Sequence, residues 1–208
     1  MNSKKPGKEV IDRAVKVIEA GGLIVYPTDT VYGLGTNALN PQAVFKVFEV
    51  KNRPLDQALP TIVSGLEMAE ELAYVTEEAR KLIQAFWPGA LTIILKKKPV
   101  VPSVVTGGKF GVGLRAPNHA VPLTITRMSG LPLIATSANK HSGANPVKVR
   151  DVLNQLGEEV DLILDGGRTE IGVASTIIDM TRTPPLIVRK GPVTREMIEG
   201  VIGQIETS

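Results

Sequence analysis

Short apolar runs alternate along this chain with stretches of helical periodicity, and each run ends in a polar or glycine-containing loop. Leu23–Tyr26, Leu59–Val63, Leu91–Leu95, Gly111–Arg115, Leu131–Thr136, Asp161–Leu164, Ser175–Met180 and Pro185–Arg189 read as strands. Between them Val10, Ile11, Ala14, Val15, Val17 and Ile18 recur at helical spacing, and Gly21-Gly22 stops that helix. Asn40 caps a second helix with Pro41 at its first position, and Pro54 bars its continuation past Arg53. Ser64 with Glu67 has the pattern of a capping box, and Thr76 caps a helix that ends at Trp87-Pro88-Gly89. His119–Ser129 is a helix ended by Gly130, residues 147–156 form another after Pro146, and Thr194 caps the last. Pro27–Gly35 and much of residues 99–113 read as loops. Some neighbouring strands have no helix between them, so the expected fold is mixed α/β with a mixed parallel and antiparallel sheet in one domain. No internal repeat and no linker-like break interrupts the 208 residues.

Composition removes whole classes of chemistry. The chain has no Cys, so disulfides, thiolate metal sites and Cys nucleophiles are excluded. His119 and His141 lack metal-ligand spacing and read as structural or surface residues. No 18-residue apolar run exists, and Glu9, Asp12, Arg13 and Lys16 interrupt what would be the apolar core of a signal peptide, so a cytoplasmic location without membrane contact is expected. Aromatics are only 4%, which disfavours a surface of stacked bases. Charge is distributed unevenly. The net charge is +3, yet between Ala79 and Arg150 there are eleven cations and no Asp or Glu. Such a stretch favours anionic ligands, nucleotides or nucleic acid. Lys4, Lys5 and Lys8 make residues 1–8 a basic tail, expected to be disordered, ahead of a domain over 9–208.

Familiar nucleotide motifs fail on context. Gly33-Leu34-Gly35-Thr36-Asn37-Ala38 fits G-x-G-x-x-A, but the six residues Pro27–Tyr32 separate it from the strand it should follow directly. Gly107-Gly108-Lys109 lacks the hydroxyl neighbour of a Walker A loop, and no G-x-S-x-G elbow is present. Five other places are candidates for chemistry. Pro27–Leu34 is a hydroxyl-rich loop on the end of a buried strand, where sites are commonly built. Lys51-Asn52-Arg53-Pro54 closes a helix; its cations suit the helix dipole or grip phosphate, Arg in bidentate fashion and Lys as a point charge. Thr136–Asn139 with Ser142-Gly143 offers donors and acceptors to a polyphosphate, or forms an ordinary turn. Ser175-Thr176 opens a strand, and Arg189 ends one and so points toward the loops.

Seven segments in order resemble the YrdC-like family, the L-threonylcarbamoyladenylate synthases: Pro27–Leu34, Lys51-x-Arg53-Pro54, Trp87-Pro88-Gly89-x-Leu91-Thr92, Val112–Arg115, Thr136–Asn139 with Ser142-Gly143, Ser175–Asp179 and Val188-Arg189-x-Gly191. The resemblance runs from about Val10 to Ile202. It implies a three-layer α+β domain with a twisted mixed sheet and an open, positively charged cavity. It implies a nucleotidyltransferase that makes threonylcarbamoyl-AMP and pyrophosphate from L-threonine, bicarbonate or CO2, and ATP. A separate threonylcarbamoyl-transferase complex would then act downstream in tRNA modification, with tRNA itself a candidate partner. The implied ATP set is Lys51, Arg53, Ser137, Asn139, Asn145 and Arg189, of which Lys51, Arg53, Ser137 and Asn139 are implied as catalytic. The implied threonine set is Thr30, Arg115 and Ser175. Mg2+ is expected with ATP, held mainly by the phosphates. Where longer family members have Pro-Leu followed by a His, this chain has Ala58-Leu59 and Ile62, which resembles the short single-domain branch; Gly111 replaces a hydroxyl next to the nucleotide. Two other functions fit the same features. One is a non-catalytic double-stranded RNA or tRNA-binding module, and the other is a nucleotide-dependent carbamoyl-transfer enzyme on the same fold.

Overall fold

The computed structural model describes residues 7–157 and 159–207. The expected tail lies, for residues 1–6, outside the described residues; Lys8 already belongs to the first helix. In chain order the elements are α1 (Lys8–Glu19), β1 (Ile24–Tyr26), β2 (Gly33–Gly35), α2 (Pro41–Lys51), β3 (Thr61–Ile62), α3 (Leu66–Leu72), α4 (Glu77–Phe86), β4 (Leu91–Lys96) and β5 (Gly111–Arg115). They continue as α5 (Ala120–Ser129), β6 (Leu133–Ile134), β7 (Thr136–Ser137), α6 (Val149–Leu156), β8 (Leu162–Ile163), β9 (Thr176–Asp179), β10 (Leu186–Arg189), α7 (Arg195–Ile202) and β11 (Glu206–Thr207). Hydrogen bonding divides the strands into two mixed sheets, in the orders β7-β2-β1-β8 and β11-β10-β9-β4-β5-β3-β6.

Local chemistry sets most element ends. Asn40 Oδ1 accepts from Ala43 N at the start of α2, and Thr76 and Thr194 cap α4 and α7 in the same way. His119 is structural: its Nδ1 accepts from Val121 N at the start of α5. The Ser64–Glu67 capping box does not form. Gly65 takes the cap position instead, and Ser64 Oγ faces Met68 Sδ.

Two differences from the sequence reading shape the site. Gly33–Gly35, expected within a loop, is a strand paired antiparallel to β1. Both of its glycines lie against the Tyr26 ring. A Cβ on Gly33 would fall 2.8 Å from Tyr26 Cε2, and one on Gly35 would fall 2.4 Å from Ile134 O. The G-x-G pattern therefore makes room for a buried ring, not for a dinucleotide. The single strand expected over Leu131–Thr136 is two strands. β6 pairs with β3 in the larger sheet and β7 with β2 in the smaller, and the chain changes sheets at Ala135, whose N–H donates to Pro60 O. The corner between the two sheets opens as a cavity.

Strand alternation sorts the side chains. On β4, Leu91, Ile93 and Leu95 face a core shared with α3, α4 and α7. Thr92, Ile94 and Lys96 alternate with them, and Thr92 lines the corner cavity. A second core joins α1 and α5 to Ile24, Tyr26, Ile62 and Leu133. Thr61, only 1% exposed, keeps its hydroxyl without a partner. An unpaired buried hydroxyl costs stability. Thr61→Val should therefore raise the unfolding free energy by about 1 kcal/mol in urea titration, and a loss of stability would show that the hydroxyl finds a partner.

Candidate active site

The cavity at the sheet corner has a volume of about 230 Å³. It takes its wall from four places: the loop after β1, the exit of α2, the β6–β7 break, and the ends of β4, β5, β9 and β10. Seven of the nine expected site residues line it: Thr30, Arg53, Arg115, Ser137, Asn145, Ser175 and Arg189. Lys51 and Asn139 do not; they bond to each other behind the wall. Three guanidinium groups and no carboxylate are among the lining residues. A second cleft, of about 410 Å³, lies between the end of β10 and the start of α7 and shares none of these lining residues.

At the closed end, loop 27–32 folds around the Thr28 hydroxyl. Thr28 Oγ1 donates to Val31 O and accepts from the backbone N–H groups of Thr30 and Val31. This turn presents Asp29 and Thr30 to Arg115, which is 7% exposed. Arg115 Nη2 donates to Asp29 Oδ1 in a buried ion pair, Nη1 donates to Thr30 Oγ1 at 2.9 Å, and Nε donates to Gly89 O at 2.8 Å. Trp87-Pro88-Gly89 thus serves as a bracket: Trp87 Nε1 donates to Leu91 O and Gly89 O fixes the guanidinium. Three of the five Arg115 N–H groups are occupied, leaving two for a ligand in the cavity. Burial lowers the Arg115 pKa and the Asp29 carboxylate raises it in return, as a paired guanidinium requires. Asp29, which holds Arg115, is the residue the sequence reading passed over. It stood in the quoted loop, but nothing in one sequence pairs it with a residue 86 positions away.

Arg189 reaches the cavity through a bulge. The β9–β10 register runs Leu186↔Asp179 and Ile187↔Ile178, then Arg189↔Ile177, so Val188 is the extra residue. Ile187 is buried in the core, and strict alternation would turn Arg189 to that same face. The bulge turns it to the cavity instead. There Nε donates to Ser175 O at 2.9 Å and Nη2 to Ser175 Oγ at 3.0 Å, while Ser175 Oγ lies 2.8 Å from Thr92 Oγ1. Burial and the nearby Arg115 charge lower the Arg189 pKa. Gly191 lets the chain cross back over this segment, because a Cβ there would sit 2.4 Å from Thr176 N.

Arg53 leaves α2 through Asn52, which adopts a left-handed conformation at φ 50°. Its Nη2 donates to Ala58 O at 3.0 Å, and burial lowers its pKa. Tyr32 braces the opposite loop: its hydroxyl donates to Gly167 O at 2.6 Å and accepts from Gly166 N, and burial raises its pKa to about 12. Ala58 and Ile62 line the cavity, whereas Gly111, expected beside the nucleotide, is not among the lining residues and faces Ile94 and Thr181.

The acid-free stretch contributes less than its charge suggests. Of its eleven cations only Arg115 lines the cavity. Lys96 and Lys98 flank the Tyr74 ring at 5.7 and 5.6 Å, and Lys97 Nζ donates to Val101 O. These lysines stand at the far end of β4, about 13 Å along the strand from Thr92 at 3.3 Å per residue. Arg80 and Lys140 are paired with Glu70 and Glu159.

Fold and site together define a mixed α/β domain with an open, arginine-lined cavity at a sheet corner. Residues 16–191 match the model of a family described as Sua5/YciO/YrdC, telomere recombination. The chain is 44% identical over 193 residues to a threonylcarbamoyl-AMP synthase of Pyrococcus abyssi, covering 92% of this chain and 57% of that protein. It is 38% identical over 191 residues to a putative threonylcarbamoyl-AMP synthase of Mycobacterium tuberculosis, covering 91% and 88%. The crystal structure of P. abyssi Sua5 complexed with L-threonine superposes with a TM-score of 0.93 at 43% identity, over 95% of this chain and 58% of that one. This chain belongs to the Sua5/YciO/YrdC family. It spans somewhat more than half the length of the Pyrococcus protein and most of the mycobacterial one.

Proposed function

We propose that the chain is an L-threonylcarbamoyladenylate synthase, and the arrangement of two anion sites in one cavity carries the proposal. Arg115, buried and braced by Asp29, Thr30 and Gly89, keeps two N–H groups for a carboxylate. Arg53, Arg189, Ser137 and Asn145 stand around the open part, where a triphosphate needs cations and donors. The names of the relatives and the threonine complex of P. abyssi Sua5 support the same reading.

In this reading threonine binds by its carboxylate to Arg115, beside Thr30 and Ser175. Its uncharged amine attacks the carbon of CO2, supplied from bicarbonate, and loses a proton to give a carbamate. A carbamate oxygen attacks the α-phosphorus of ATP, the bond to the β-phosphate oxygen breaks, and pyrophosphate leaves. The protein aligns two anions and neutralises charge on the transferring group. Among the described residues no group of three His, Cys, Asp or Glu is placed to hold a metal, and the cavity's donors are hydroxyls, a carboxamide and guanidiniums. Mg2+ would therefore be carried by the ATP phosphates, where it screens their charge. The product would pass to a transferase complex that modifies tRNA.

The test is incubation with ATP, Mg2+, bicarbonate and each amino acid in turn, with pyrophosphate as the readout. Release that depends on threonine is the expected result. No release with any amino acid, together with tight and salt-sensitive tRNA binding, would favour an RNA-binding module instead.

A further inference from the structure

Lys51 is 1% exposed at the last position of α2. All three of its ammonium protons have acceptors in the β7 loop: Ser137 O at 2.6 Å, Asn139 Oδ1 at 3.0 Å, and Asn139 O. The loop answers in kind. His141 N donates to Lys51 O at 2.9 Å, and Lys140 Nζ donates to Val50 O at 2.8 Å, so the loop supplies partners for the terminal carbonyls of α2. Asn139 then closes the loop on itself, donating from Nδ2 to Gly143 O and Ala144 O, and Ser137 Oγ donates to Asn139 Oδ1. Lys51 is not among the lining residues of the cavity, whereas Arg53, two residues on, and Ser137 are.

We propose that Lys51 is a positioning residue and not a phosphate ligand: with Asn139 it locks the Arg53 wall to the Ser137 wall, which stand 84 residues apart in the chain. This rests on the reading of Arg53 and Ser137 as the triphosphate site. A lysine with three occupied donors has none left for phosphate. Burial first, and then the charges of Arg53 and Lys140, draw its pKa down to about 7. Such a place tolerates an ammonium only because the three acceptors hold it. Removing Lys51 frees the 137–144 loop to drift, and misplacement of a donor by about 1 Å can cost roughly 100-fold in rate.

The experiment compares wild type, Lys51→Met and Asn139→Ala by three measurements: hydrogen exchange at the His141 and Gly143 amides, Kd for ATP without threonine, and kcat for threonine-dependent pyrophosphate release. In both variants the two amides should exchange at least tenfold faster while β4 and β5 stay protected. The same variants should lose about 100-fold in kcat, with the ATP Kd changed less than threefold. A tenfold weaker ATP Kd in Lys51→Met with loop exchange unchanged would overturn the proposal. Where Lys51→Met does not fold, Asn139→Ala decides alone, because it keeps the Lys51 charge: the same kcat loss supports positioning, and wild-type kcat overturns it. If wild type itself releases no threonine-dependent pyrophosphate, the synthase reading fails, while exchange and ATP binding still judge Lys51.

Discussion

Replacing Arg115 by Met is expected to remove threonine-dependent pyrophosphate release to below about one thousandth of wild type, in line with the loss of a desolvated charged anchor. The same change should destabilise the fold by about 3–5 kcal/mol, because it leaves Asp29 buried at 3% exposure without its cation. The two effects separate on a second substitution. Asp29→Asn in the Arg115→Met background removes the stranded charge, so urea unfolding should recover most of the stability while activity stays absent. If the double variant regained activity, Arg115 would not be the carboxylate site. If the single variant unfolded at the wild-type urea concentration, the ion pair would not be buried as described.

Arg53→Ala is expected to act on the other anion and on little else. The side chain is half-buried, with Ala58 O its one well-formed partner, so the fold should change by less than about 1 kcal/mol. ATP-dependent turnover should fall by about 100- to 1,000-fold, the range for removing one charged donor from a group-transfer site. Threonine binding, measured by calorimetry without ATP, should remain. Wild-type pyrophosphate release by this variant would remove Arg53 from the phosphate site.

Much of the architecture was legible because it follows from local signals. The β5 range Gly111–Arg115 and the caps at Asn40 and Thr76 are written in apolar runs and cap residues that act within a turn or two. What was not legible depends on partners distant in sequence. Ala135 breaks a continuous apolar run into two strands because Pro60 O and β2 pull its ends into different sheets. The Gly33–Gly35 strand needs Tyr26 to explain its glycines.

The site divides along the same line. Residue types at strand ends and helix exits pointed to Arg53, Ser137, Ser175 and Arg189, and the family resemblance added Arg115; the fold does bring these together. Whether a cation faces a ligand or the protein is a question of geometry. Lys51 and Arg53 stand in one four-residue motif, yet one points into the wall and the other into the cavity. The large charge of the Ala79–Arg150 stretch misled in the same way, since sequence adds charges and the fold separates them.

The central claim is that both anions occupy this one cavity and are joined there through a carbon taken from bicarbonate. Incubating the protein with ATP, Mg2+, L-threonine and 13C-bicarbonate, followed by mass spectrometry of the nucleotide products, tests it directly. The account predicts an adenylate that contains threonine and a single bicarbonate-derived 13C, formed in equal amount with pyrophosphate and absent from the Arg115→Met and Arg53→Ala variants. An adenylate without the label, or pyrophosphate release that does not require threonine, would contradict it.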